Sequence, residues 1–238
     1  MIQNAICSKI AGDGVDKTGK TTVLREIEKR LGEELELSSN EITIVKFNRE
    51  KFSQETIARE IEINTSKRDK REKLLAHMWN FLEWEINNYQ KECLGKKITI
   101  LDRSRFSFIA TRGIALGYTI DRMVDELWPM TKWLPMPDIF IHTTADAKTI
   151  QTRFDQIIAG WGKLTDTDKL ILKDIPWSLA TFEKILNMQS SPIPKDKVIK
   201  FDTSRMYIKD GINYIGERRD KQIENIMDFI YKDYNGIR

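Results

Sequence analysis

The chain has 238 residues, 40% of them hydrophobic and 32% charged, which fits a folded globular protein and excludes a disordered one. Its formal net charge of +3 is too small for a protein built to hold a nucleic-acid polymer. Two cysteines, Cys7 and Cys93, give no disulfide framework and fit a reducing, cytoplasmic setting; there is no apolar leader core, and no run approaches the ~18 apolar residues of a membrane span.

In chain order, "AICSKIA" (5–11) reads as a first strand. "GDGVDKTGKTT" (12–22) follows it, and then a helical segment over 21–31 with Val23, Leu24, Ile27 and Leu31 on one face. "ITIVKF" (42–47) is a second strand. Residues 69–93 read as one long amphipathic helix whose apolar stripe is Leu74, Leu75, Met78, Trp79, Leu82 and Ile86. "KITIL" (97–101), "DIFIHTT" (138–144) and "KVIKFD" (197–202) complete a set of five strands, and 221–234 forms a last helix with Ile223, Ile226, Met227 and Ile230 inward. Strands alternating with helices predict an α/β fold, a five-stranded parallel sheet flanked by helices. With no Gly/Ser or Pro-rich linker, residues 1–238 read as one domain. The weakly patterned stretch 154–196 is expected to be mobile or inserted structure.

Gly14-Val15-Asp16-Lys17-Thr18-Gly19-Lys20-Thr21 fits G-x-x-x-x-G-K-[ST], after a strand and before a helix, the context this phosphate loop requires. Glycines let backbone N–H groups turn inward around an anion, and the next helix adds its positive end. Lys20 is placed to bridge terminal phosphates and the Thr21 hydroxyl to hold Mg²⁺. Asp102-Arg103 closes the third strand, where open parallel sheets bind ligands. Asp102 suits a Mg²⁺ ion or its waters and Arg103 a second phosphate; Arg105 and Arg112 lie on the same stretch.

Together these motifs resemble the thymidylate kinase family of nucleoside monophosphate kinases. "GVDKTGKTT" is similar to its phosphate loop, "LDRSRFSFIA" to its Asp-Arg-aromatic-x-x-Ser-x-x-Ala motif, and "LPMPDIFIHTTADAKTIQTR" (134–153) to its Leu-Pro-x-Pro-Asp strand and the helix leading into a lid. The resemblance covers residues 5–204 and implies a P-loop nucleoside monophosphate kinase-like fold with a lid over about 154–180. It implies transfer of the γ-phosphoryl group of ATP, with Mg²⁺, to a (deoxy)nucleoside 5′-monophosphate, thymidylate by default, and no polymer or membrane partner. Because family members are commonly dimers, it also implies a homodimer. Gly14, Gly19, Lys20, Thr21, Thr22 and Arg153 would then hold ATP, and Thr21 and Asp102 the metal. Asp16 would face the acceptor, Lys17 the moving phosphoryl group and Arg103 the acceptor phosphate; Ser107 would line the acceptor pocket. "FDTS" (201–204) would run past the adenine.

The departures from the family pattern bear on the acceptor. After the second strand the chain reads Lys46-Phe47-Asn48-Arg49 where the family has an Arg-aromatic-Pro or Arg-Glu-Pro motif. The family's Phe-x-x-x-Arg helix corresponds to "WNFLEWE" (79–85), with Trp79 as the base-stacking aromatic and Glu83 at the base-contacting Arg, unless the alignment slips by a turn. A carboxylate accepts where a guanidinium donates, so Glu83 predicts an altered base preference. Thr111 stands where the family often has Tyr or Phe against the sugar, leaving room for a 2′-hydroxyl. The lid carries Lys163, Lys169 and Lys173 but no arginine after Arg153, and 205–219 reads as an insertion. Two other readings stand beside this one: a deoxynucleoside kinase, and a non-kinase P-loop ATPase or nucleotide-binding module.

Overall fold

The computed structural model describes the chain apart from residues 1–7, 48–51, 133, 135, 161, 188–192, 205–206, 210–211, 215–216 and 237–238; Cys7 and Arg49 therefore lie outside the described residues. Five strands, β1 (Ser8–Asp13), β2 (Ile42–Lys46), β3 (Ile98–Asp102), β4 (Ile139–Thr144) and β5 (Val198–Asp202), form one parallel sheet in the order β2-β3-β1-β4-β5. β1 runs further toward the glycines than its apolar run suggests, because Gly12 and Asp13 still pair with β3 and β4. The register aligns Gly12, Lys46 and Asp102 across the carboxyl ends of β1, β2 and β3, so three residues far apart in sequence meet at one edge.

Both faces of the sheet are covered, as the near-continuous Ile and Val runs require. On one face α1 (Lys20–Glu34) sets Val23, Leu24, Ile27 and Leu31 against Ile10, Ile98 and Ile139; Ile223, Ile226, Met227 and Ile230 of the final helix α10 (Glu217–Gly236) complete that layer. On the other lie α3 (Lys70–Trp84), α5 (Arg105–Leu116), α6 (Ile120–Thr131) and α7 (Ala147–Ala159), with α2 (Gln54–Thr65) packed against α3. α3 continues through a π turn (Glu85–Tyr89) into the short α4 (Gln90–Glu92), so the predicted 69–93 helix exists with a bulge near its end. Its buried face differs from the predicted stripe. Leu74, Met78, Phe81, Leu82 and Glu85 turn inward, whereas Trp79 and Ile86 are exposed.

The described residues of 154–196 are not loose. They contain the end of α7, then α8 (Asp166–Lys173) and α9 (Ile175–Asn187), and Ile171, Ile175, Phe182 and Ile185 join the core around α5. α8 opens on a reciprocal cap, Thr165 with Asp168, which explains how so polar a stretch starts a helix. Within 205–219, β6 (Tyr207–Lys209) and β7 (Ile212–Tyr214) pair as a small antiparallel ribbon. Among the described residues no helix is long and apolar enough to cross a membrane.

Candidate active site

The loop between β1 and α1 is shaped by backbone positions that few side chains tolerate. Gly14 has φ 146°, and a Cβ there would lie 2.3 Å from the Thr143 carbonyl oxygen. Gly19 (φ 79°) precedes α1 and offers no side-chain cap, leaving that helix end open to an anion. The Thr18 hydroxyl fixes the loop from within, donating to the Val15 carbonyl at 2.8 Å and sharing a 2.8 Å hydrogen bond with the Thr143 hydroxyl of β4. Gly14→Ala is expected to cost about 2 kcal/mol or more, from backbone strain plus a clash with a main-chain oxygen; a shift of the urea midpoint measures it.

Below the loop, Lys20 Nζ sits 2.9 Å from Asp102 Oδ1, and the Thr21 hydroxyl donates to Asp102 Oδ2 at 2.7 Å. Burial alone would raise the Asp102 carboxyl; the Lys20 charge and the hydrogen bonds from Lys20 and Thr21 outweigh it and hold the group below its ordinary value. Beside it Arg103 has φ 82°, a left-handed conformation for a non-glycine residue, while its N–H still donates to the Gly12 carbonyl at 3.0 Å. The Arg103 guanidinium pairs with Asp16. Burial opposes ionisation of Asp16, but Arg103, Lys20 and Lys17 together lower its pKa. The acid inside the anion loop is thus an ionised counter-charge.

Three directions off α5 do different jobs. Ser104 and Ser107 both donate to Asp13 at the end of β1, Ser104 through its N–H at 3.1 Å and its hydroxyl at 2.7 Å. Ser107 therefore anchors the helix to the phosphate loop and does not line the cleft, against the sequence expectation; its partner is too distant in sequence to show there. Arg105 is fully buried and pairs with Glu85, also donating to the Thr131 carbonyl at 2.8 Å. Phe108, Thr111 and Arg112, at i, i+3 and i+4, face the cleft.

The cleft has a volume of about 1130 Å³ and takes its walls from Asp16, Lys17, Gly19, Lys20, Thr21, Thr22, Asp102, Arg103 and Arg153. It is also lined by Lys46, which lies in register with Asp102, and by Phe47, Asn64, Phe81, Phe108, Thr111 and Arg112. Phe47 and Phe81 have ring centroids 5.1 Å apart, and Phe81 and Phe108 4.7 Å. Two expected acceptor residues are elsewhere. Trp79 is 58% exposed and borders a surface hollow with Arg68, Glu72, Leu75 and Met130. Glu83 accepts from the Thr56 hydroxyl and from Arg59, each at 2.9 Å, tying α3 to α2 outside the cleft. Phe81, two residues further along than Trp79, supplies the aromatic wall instead, and the Phe-x-x-x step from it ends on the buried Glu85.

Arg153 acts as a staple. It donates to the Lys17 carbonyl at 2.7 Å, to the Thr203 hydroxyl at 3.1 Å and to the Thr203 carbonyl at 2.7 Å, joining α7 and the end of β5 to the loop. Lys17 itself reaches Asp168 at 3.5 Å. Asp168, with Thr165, Asp166 and Thr167, brings acid to the lid side of the cleft, which no local motif signals, since Asp168 reads simply as a capping residue. Lys163, Lys169 and Lys173 do not line the cleft. Among the described residues no group of three or more His, Cys, Asp or Glu could hold a metal. The Thr21 hydroxyl and Asp102 carboxylate are hard oxygen donors that fit a divalent ion completing its shell with phosphate oxygens and water.

No protein-family profile matches this chain, and no curated protein does. Solved structures do. A thymidylate kinase from Ehrlichia chaffeensis is 16% identical over 94% of this chain and 98% of its own, with a TM-score of 0.54. A thymidylate kinase from Candida albicans is 20% identical over 96% of this chain and 92% of its own, with a TM-score of 0.58. The chain has the fold of these kinases along nearly its whole length.

Proposed function

We propose that this chain is a nucleoside monophosphate kinase of the thymidylate kinase type, moving the γ-phosphoryl group of ATP onto the 5′-phosphate of a (deoxy)nucleoside monophosphate. The observation that carries this reading is the pairing of two cationic centres in one cleft. Lys20 at the start of α1 and Arg103 after β3 both line it, each held by its own carboxylate, Asp102 and Asp16. A cleft with two phosphate-sized cationic positions suits transfer between two phosphates better than hydrolysis of one.

The residues act by placement and charge, as phosphoryl transfer demands. The open end of α1 and the N–H groups of the glycine loop cradle the donor phosphates. Lys20 leaves Asp102 to meet the anion, and Thr21 and Asp102 would hold Mg²⁺, which neutralises charge on the donor phosphates when bound. Arg103, preset by Asp16 and by its own backbone, grips the acceptor phosphate, with Lys46 as a second positive charge beside it. Lys17 stands at the mouth of the loop, where an incoming phosphoryl group draws it from Asp168. Phe47, Phe81 and Phe108, packed against one another, form an aromatic wall on which the base would lie. With Glu83 engaged by Arg59, nothing there reverses the base preference, so thymidylate is the leading acceptor. Thr111 leaves the space beside the sugar open.

A panel of nucleosides and nucleoside monophosphates incubated with ATP and Mg²⁺ tests the reading. ADP formation should require a monophosphate and yield the matching diphosphate. Phosphorylation of nucleosides alone would favour a nucleoside kinase, and ATP loss independent of any acceptor an ATPase.

A further inference from the structure

We propose that Asp168 is a positioning residue for Lys17: it holds the Lys17 ammonium off the phosphates of ATP until an acceptor phosphate also occupies the cleft, and so restrains hydrolysis of ATP when no acceptor is bound. The proposal rests on the kinase reading above and adds to it a control on the donor alone. Asp168 is 3% exposed, lines the cleft and divides its two oxygens between two tasks. Oδ2 closes the cap of α8, accepting from the Thr165 N–H and from the Thr165 hydroxyl, each at 2.9 Å. Oδ1 is buried with no hydrogen-bond partner, and the Lys17 ammonium stands 3.5 Å from it. The helix cap needs only one oxygen. The other is a buried acceptor outside every hydrogen bond, which is costly to keep, and it faces a cation of the phosphate loop.

Lys17 is turned toward the same side by its other contacts. Its backbone is left-handed, φ 69°, and its carbonyl accepts from Arg153 of α7 at 2.7 Å. Its ammonium lies 5.7 Å from the centre of the buried Phe154 ring, also on α7. At 3.5 Å from Asp168 the ammonium is attracted but lies beyond a good hydrogen bond. A phosphate oxygen offers Lys17 both a hydrogen bond and more charge, yet taking it strands a buried carboxylate oxygen. ATP alone works against that cost. An acceptor phosphate on Arg103 adds charge close by, because Arg103 is paired with Asp16, the chain neighbour of Lys17. Two phosphates together then draw Lys17 across where one does not. Asp168 acts on Arg103 more weakly: burial opposes the Arg103 charge, and Asp16, then Asp102 and last Asp168 hold its pKa above the ordinary value. Lys17 is the group through which Asp168 works.

The experiment titrates the full chain with a fluorescent, non-hydrolysable ATP analogue and Mg²⁺, and separately follows ADP formation from ATP with and without dTMP. Without acceptor, water takes its place at the γ-phosphorus: the bond to the β–γ bridging oxygen breaks toward ADP, and inorganic phosphate and a proton are released. The native protein is compared with Asp168→Asn, Lys17→Met and the double variant. Asn keeps the oxygen that caps α8, and Met keeps the stem of Lys17 beside Phe154. Asp168→Asn should tighten the analogue by roughly fivefold, because Lys17 is no longer held away, and raise hydrolysis relative to transfer by a similar factor. Neither gain should appear in the double variant relative to Lys17→Met alone. A merely structural Asp168 would lower affinity and every rate together, so a gain cannot come from a damaged fold. Unchanged or weaker analogue binding in Asp168→Asn overturns the proposal. So does a gain that persists beside Lys17→Met, which would place the effect on Arg103 or Lys20. If the native protein binds the analogue but forms no diphosphate from any monophosphate of the panel above, the kinase reading falls and takes the acceptor's part with it; the hold of Asp168 on Lys17 is then decided by the binding comparison alone.

Discussion

Asp16→Ala is expected to slow phosphoryl transfer by roughly 10²–10³-fold while changing the ATP dissociation constant by less than about threefold. Asp16 is the counter-ion that aims Arg103, and Arg103 already sits in a left-handed conformation that only its surroundings maintain. Without the carboxylate, the guanidinium keeps its charge but loses its direction, and the acceptor phosphate is held off line. The donor side keeps Lys20, Thr21, Asp102 and the open end of α1 intact. Single-turnover kinetics beside a fluorescent-ATP titration separates the two effects. An equal fall in ATP affinity would move Asp16 to the donor side. Asp16→Asn, which keeps one hydrogen bond to Arg103 without the charge, should lie between.

The phosphate loop was legible because its demands are local: glycines where the backbone must turn, a lysine and a hydroxyl at fixed offsets. The five strands were legible for a similar reason, each a short run containing Ile or Val, buried almost throughout in β3 and β4 and only partly in the edge strands β2 and β5. The acceptor side was harder. Around residues 74–86 two apolar stripes compete, and periodicity cannot tell the buried face through Leu74, Met78 and Phe81 from the exposed one through Trp79 and Ile86. The family resemblance put Trp79 at the acceptor aromatic, where the cleft is instead lined by Phe81. Ser107 and Arg105 were misleading or silent because their partners, Asp13 and Glu85, are distant in sequence. Asp168 was hidden by its capping role: "TDTD" announces a helix start and says nothing of what that helix end faces.

Glu85→Ala should destabilise the fold by about 3–5 kcal/mol, because it strands the Arg105 charge in the interior. Both side chains are only 1% exposed. The Thr131 and Leu134 carbonyls, which accept from Arg105 at 2.8 and 3.3 Å, soften the loss without cancelling it, so the lower half of that range is expected. Burial pushes the Glu85 carboxyl above its ordinary value against the pull of Arg105. Urea denaturation gives the number. The double replacement Glu85→Leu with Arg105→Leu removes both charges and should recover most of the stability. A loss under about 1 kcal/mol for Glu85→Ala would mean that the carbonyls alone satisfy Arg105.

The division of labour around α5 has a consequence for how such a protein can change over generations. Ser104 and Ser107 tie the start of α5 to Asp13, next to Gly14, whose backbone conformation few other residues adopt, so substitutions there would disturb the phosphate loop. Phe108, Thr111 and Arg112 point the other way, into the cleft. On the proposed kinase reading, these three positions within one turn of α5 could change without disturbing the serines that hold the phosphate loop.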